Sequence, residues 1–170
     1  MIAPTPSQTI GPFFRFGLAW MDATHLVDER DEGGLVLHGR VVDGSGDPVP
    51  DAVIEICQSD PMGAFPSGWT GFGRCLADES GAYAFVTVRP GPLGDGSAPH
   101  VDVSVFARGL LQRVVTRLYM PGTDIDAPDD PVLASVPRDR RATLVAETSP
   151  IGLRFDIRLQ GEQETVFFAW

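Results

Sequence analysis

No lysine occurs anywhere in the chain, and all thirteen basic side chains are arginines. No P-loop can therefore be written. Neither G-x-S-x-G nor G-x-G-x-x-G in a strand–helix setting is present, which removes the common phosphate, dinucleotide and serine-nucleophile signatures. No apolar run approaches the ~20 residues of a membrane helix. Two cysteines, Cys57 and Cys75, are too few for a disulfide framework and are expected as small buried side chains in a reducing compartment. Residues 1–11 have neither a basic stretch nor an apolar one, so they do not read as a signal peptide, and the cytoplasm is the expected location. Basic residues are outnumbered 13 to 23 by acidic ones, a net charge of −10. With no basic stripe, nucleic acid is excluded as a partner class. An anionic ligand would need a locally basic site; Arg108 with Arg113, or Arg138 with Arg140 and Arg141, are the only such clusters.

What is present describes one globular domain. Hydrophobic residues make up 43 % and charged residues 21 % of 170 residues, with 19 glycines and 15 prolines. That balance suits a packed core built from short strands and many turns. Alternating or β-branched runs predict strands over 35–42, 52–58, 82–88, 100–106, 113–119, 153–160 and 165–168. The first of these ends in a turn at 43–48, and the second closes on a turn at 60–63. A short helix is expected over 139–147, and residues 71–73 read as a turn. Residues 1–14, broken by prolines and a glycine, read as an extended arm. Period-two patterning at short spacing predicts an all-β, antiparallel β-sandwich with little helix, spanning residues 1–170, with 1–30 as arm and partner contacts.

Three groups of residues could carry chemistry. His100 and Asp102 lie two apart on a strand and share a face. A metal would need one or two further ligands there, and only His25 and His38 remain, both without a motif. Read from residues alone, the pair is more simply a polar pair facing a cavity or an interface. Arg108, in Phe-Ala-Arg-Gly at a strand end, could present its rigid fork to an anion or be a solvated surface arginine. The arm 7–12 offers hydroxyls and bare backbone at Gly11, or it is a frayed terminus. Against fraying, Phe13, Phe14, Phe16 and Trp20 follow, an aromatic surface that should be buried, with a partner as one way to bury it.

Four stretches then point to a family: residues 7–13 (SQTIGPF), 81–92 (GAYAFVTVRPGP), 98–109 (APHVDVSVFARG) and 154–162 (RFDIRLQGE). In this order, with 164–168 (ETVFF) closing the chain, they resemble the intradiol ring-cleaving dioxygenases. More narrowly, they are similar to the chain of a two-chain member that does not hold the metal. The resemblance implies a β-sandwich and, in the catalytic β chain, a mononuclear Fe(III) on two tyrosines and two histidines. Carried over, the tyrosine positions fall on Phe65 and Leu93 and the histidine positions on His100 and Asp102. Phe and Leu offer no donor, so no metal is expected on this chain. The only tyrosines, Tyr83 and Tyr119, match structural positions of the family.

The resemblance also implies that the β chain's iron pocket is completed by this chain. The positions concerned match Thr9, Gly11, Pro12 and Arg108, as a substrate-binding contribution with no catalytic residue of its own. The implied reaction opens 3,4-dihydroxybenzoate with O₂ in a hetero-oligomer with that homologous β subunit, and the chain is not active alone. Two other readings stay open: a non-enzymatic β-sandwich binding module, and a stand-alone metal enzyme built on His100 and Asp102, which is short of ligands.

Overall fold

A computed structural model describes residues 4–11, 13–18, 23–28, 33–126 and 128–169. Nine strands are described: β1 (Gly34–Val42), β2 (Val53–Cys57), β3 (Phe72–Leu76), β4 (Ala82–Val88), β5 (His100–Phe106), β6 (Val114–Tyr119), β7 (Glu147–Ser149), β8 (Gly152–Arg154) and β9 (Ile157–Arg158). They form two sheets, one ordered β4-β1-β8-β7 with β9 also on β1, the other β3-β2-β5-β6. Alternating apolar residues of the two sheets meet in one core, with Leu37, Val41, Ile54, Phe85, Val103 and Ile157 almost wholly buried. Period-two patterning thus gives the expected sandwich. Among the described residues helix is confined to α1 (Phe13–Leu18), α2 (Pro131–Ser135) and a 3₁₀ helix (Arg138–Leu144).

Several turns repeat one device. In D-x-x-G-x the Asp carboxylate accepts from the amides two and four residues on, and the glycine takes a positive φ. Asp43 accepts from Ser45 and Asp47, Asp60 from Met62 and Ala64, and Asp78 from Ser80 and Ala82. Gly46, Gly63 and Gly81 have φ of 86°, 77° and 73°, a region that L side chains avoid. The third of these links β3 to β4 and so carries the chain from one sheet to the other.

The observed elements differ from expectation in particular places. The strand over 153–160 is split into β8 and β9, and both run parallel to β1 rather than antiparallel. Between them the Arg40 amide is satisfied by the Asp156 side chain at 3.1 Å instead of a backbone carbonyl, which interrupts the ladder. The helix expected over 139–147 is a 3₁₀ turn that ends at Leu144 and hands over to β7. Phe72 and Gly73 belong to strand β3 rather than to a turn, and the arm already turns helical at Phe13. At 165–168 only a bridge between Val115 and Phe168 forms. Both cysteines are free and neither is fully buried as expected: Cys57 is exposed, because it sits at the end of β2 on the outer face, and Cys75 is half-buried at the edge of the core.

Candidate functional site

Strand β5 separates two groups of residues. At its start lie His100 and Asp102, and just beyond its end lies Arg108. Six steps of about 3.3 Å each put the strand's ends roughly 20 Å apart.

At the far end, the arm returns to the sheet. Phe14 stacks on Phe106 with ring centroids 5.3 Å apart, and Arg15 Nη1 donates to the Pro50 carbonyl at 2.7 Å. These contacts carry Thr9 to the turn after β5, where the Gly109 amide donates to Thr9 Oγ1 at 2.8 Å. The neighbouring Arg108 amide donates to Asp51 Oδ2 at 3.1 Å, while its Nε lies 3.7 Å from the same oxygen. The Arg108 side chain is 70 % exposed. A surface ion pair of that length holds the guanidinium loosely, at a worth of about 0–1 kcal/mol, and leaves its fork open to an anion. Gly11 accepts from the Phe14 amide and is exposed, with nothing near its Cα to fill. The structure therefore brings Thr9, Gly11 and Arg108 to one end of the sandwich. Pro12 and Trp20 lie outside the described residues. Phe13 and Phe16, expected as buried aromatics, are 81 % and 71 % exposed on this chain.

At the near end lie His100 and Asp102, two of the four positions that the resemblance assigns to a metal. Two loops carry Phe65 and Leu93. They are laced together where the Gly91 amide donates to the Asp60 carbonyl at 2.9 Å and Gly63 packs against the Pro92 carbonyl. Phe65 is 57 % exposed. His100 is buried, and its Nδ1 pairs with the Ala98 carbonyl at 2.7 Å, which makes Nδ1 the protonated nitrogen and leaves Nε2 3.7 Å from Asp102. The Asp102 carboxylate is taken by Arg117 Nε at 3.0 Å, its direct cross-strand neighbour on β6. Among the described residues no group of three or more His, Cys, Asp and Glu could hold a metal. Carbon at two positions and an ion-paired carboxylate at a third do not fit a ferric ion, which needs several O or N donors.

Neither tyrosine replaces the missing donors. The Tyr83 hydroxyl donates to the Phe155 carbonyl at 2.5 Å, and that of Tyr119 to Asp130 Oδ1 at 3.2 Å. Burial, above all, raises both phenols well above their ordinary pKa, so both stay protonated. Cys57 is also kept in its neutral form, by desolvation first and by the Asp102 charge second, which makes it a poor nucleophile. The arginines at 138–141 are used structurally: Arg138 pairs with Asp126, Arg140 donates to the Glu164 carbonyl, and Arg141 to the carbonyls of Val136 and Ile125. Sequence reasoning missed Asp51 and Arg117, whose roles come from partners remote in the chain or across a ladder.

Comparison with known proteins adds a third line. A family model described as Dioxygenase matches residues 11–161. The chain is 40 % identical to the protocatechuate 3,4-dioxygenase alpha chain of Burkholderia cepacia, covering 96 % of both chains. It is also 30 % identical to the beta chain from the same organism, over 77 % of this chain and 66 % of that one. Among solved structures, the dioxygenase domain of a dioxygenase–carbohydrate-binding fusion from Streptomyces sp. SirexAA-E superposes with a TM-score of 0.63 at 26 % identity, covering 94 % of this chain and 99 % of that one.

Proposed function

The chain belongs to the intradiol dioxygenases, and from that premise we propose that it is the non-iron α chain of a protocatechuate 3,4-dioxygenase. Its partner is a homologous β chain that carries Fe(III). Together they convert 3,4-dihydroxybenzoate and O₂ to 3-carboxy-cis,cis-muconate, both oxygen atoms entering the product, as a step of aromatic catabolism in the cytoplasm. The partner's ferric ion supplies the activation of the catechol toward O₂.

This chain supplies walls and charge. The observation that carries the reading is the placement of Thr9 against the Gly109 amide beside a 70 % exposed Arg108, at the end of β5 away from His100 and Asp102. A pocket on the chain's own metal positions would lie at the other end. Residues gathered here instead face outward, where another chain can reach them. Arg108 offsets the charge of the substrate carboxylate, directly or through a water. Gly11 and Pro12 let backbone close over the pocket and shape it without moving a proton. An acidic chain can thereby help to bind an acidic substrate.

Arg108→Ala in the co-expressed complex tests this. Losing a charge-assisted hydrogen bond worth about 1.5–3 kcal/mol should lower kcat/KM for protocatechuate roughly 10- to 100-fold. Iron content should stay as in the wild type, and unsubstituted catechol should suffer less. Unchanged kinetics would remove Arg108 from the substrate's surroundings.

A further inference from the structure

We infer that Arg117 stands as a built-in cation beside Asp102, one of the positions the family's metal would need in this chain, so that iron would be refused even if the missing donor atoms were restored. The inference rests on family membership and does not require the pairing with a β chain. The lost donors at Phe65 and Leu93 are one obstacle; Arg117 is a second, independent one.

The geometry is a row across the outer face of the β3-β2-β5-β6 sheet. Phe72, Cys57, Asp102 and Arg117 stand opposite one another on four adjacent strands. Arg117 is covered, its side chain only 11 % exposed, and its Nε lies 3.0 Å from Asp102 Oδ1. A metal held through that oxygen at the usual bond length of about 2.1 Å would lie within about 5 Å of the guanidinium. Arginine cannot shed its proton to relieve the repulsion, and the low dielectric of a covered site makes it stronger than in water. Covered on its strand and paired with Asp102, the guanidinium does not swing away freely to admit an ion. Asp102 is not simply a histidine lost: a carboxylate at this position neutralises the cation and turns a metal position into an Arg–Asp pair beside His100, its Arg117 side covered and its Asp102 side half exposed.

The full chain carrying F65Y, L93Y and D102H is compared with the same chain carrying R117Q in addition; Gln keeps length and hydrogen bonding while removing charge. Both are loaded with ferric iron under identical conditions. Iron per chain is then measured after desalting, together with the tyrosinate-to-iron charge-transfer absorption. The expected result is retained iron and colour, at least tenfold above the Arg117-containing chain, only where Arg117 is gone. Equal iron in the two, whether full or absent, overturns the inference. Should circular dichroism show that the multiply substituted chains are unfolded, D102H and D102H with R117Q are titrated with nickel(II), which a His-x-His pair binds through two imidazoles. A Kd at least tenfold lower without Arg117 supports the inference, and equal or undetectable binding in both overturns it.

Discussion

Asp78 Oδ1 accepts three hydrogen bonds inside its own turn, from the Ser80 amide, the Ser80 hydroxyl and the Ala82 amide, at 2.8, 2.8 and 3.0 Å. These bonds favour the ionised form. The Ser80 hydroxyl first, and then the two amides, draw the carboxyl below its ordinary value of 3.8. A group whose pKa is lowered on folding adds stability above its unfolded value and loses it as pH falls through the folded one. Asp78→Ala should therefore lower the melting temperature at pH 7, and the gap from wild type should narrow as pH is taken from 7 toward 3. A gap that stays constant would mean that the turn does not depend on the charge. The residues proposed to face the substrate are read differently. Thr9, Gly11 and Arg108 stood out in the sequence only as weak chemistry, and a family motif was needed to join them. The reason is physical: the contacts that join them to the fold, Thr9 to Gly109 and Arg108 to Asp51, span 100 and 57 residues, and no local pattern encodes them.

At the scale of elements, the crossing of β1 by the segment that carries β8 and β9 has little room to vary. Gly39 lies in the middle of β1 directly beneath Phe155, and a Cβ there would be 1.9 Å from the Phe155 carbonyl oxygen. That oxygen is also the acceptor for Tyr83. The obstruction is backbone, so it cannot be relieved by a rotamer change. Gly39→Ala should destabilise the chain by about 3 kcal/mol or more, read as a large drop in denaturation midpoint or a failure to fold. A loss under about 0.5 kcal/mol would show that the segment can shift aside. Legibility at this scale follows from how much of an element's reason to exist is local. The strands β1, β2, β4, β5 and β6 announce themselves because β-branched and aromatic residues alternate along them. Strands β3, with sequence FGRCL, and β7, with only ETS, have no such signature. Each exists because a neighbour offers a ladder. Likewise Ile157 reads as the continuation of a strand begun at Leu153, and only the Asp156 side chain bonded to Arg40 reveals the break.

For the whole molecule, the arm is the feature that the fold leaves unfinished. Helix α1 is anchored by Phe14 on Phe106 and by Arg15 on the Pro50 carbonyl, yet the same helix presents Phe13 and Phe16 almost fully to the outside. Two exposed phenylalanines on one short helix, beside Thr9 and Arg108, add nothing to the chain's own core. Their burial would require a second surface, and the pairing proposed above supplies one. Fully burying a Phe contributes about 1.5–3 kcal/mol, so replacing both should weaken association with the β chain by at least about 100-fold. Phe13→Ser with Phe16→Ser should accordingly shift the sedimentation profile of the co-expressed complex toward separate chains at micromolar concentration. The double variant alone should melt within about 0.5 kcal/mol of wild type, as expected for surface positions. Arg108→Ala should do the reverse, leaving the assembly intact while slowing turnover, because an exposed rim charge steers and orients a ligand more than it holds a partner. If the double Phe variant still sediments as the complex, the aromatic face of α1 is not where the two chains meet, and the arm would have to reach its neighbour by another surface.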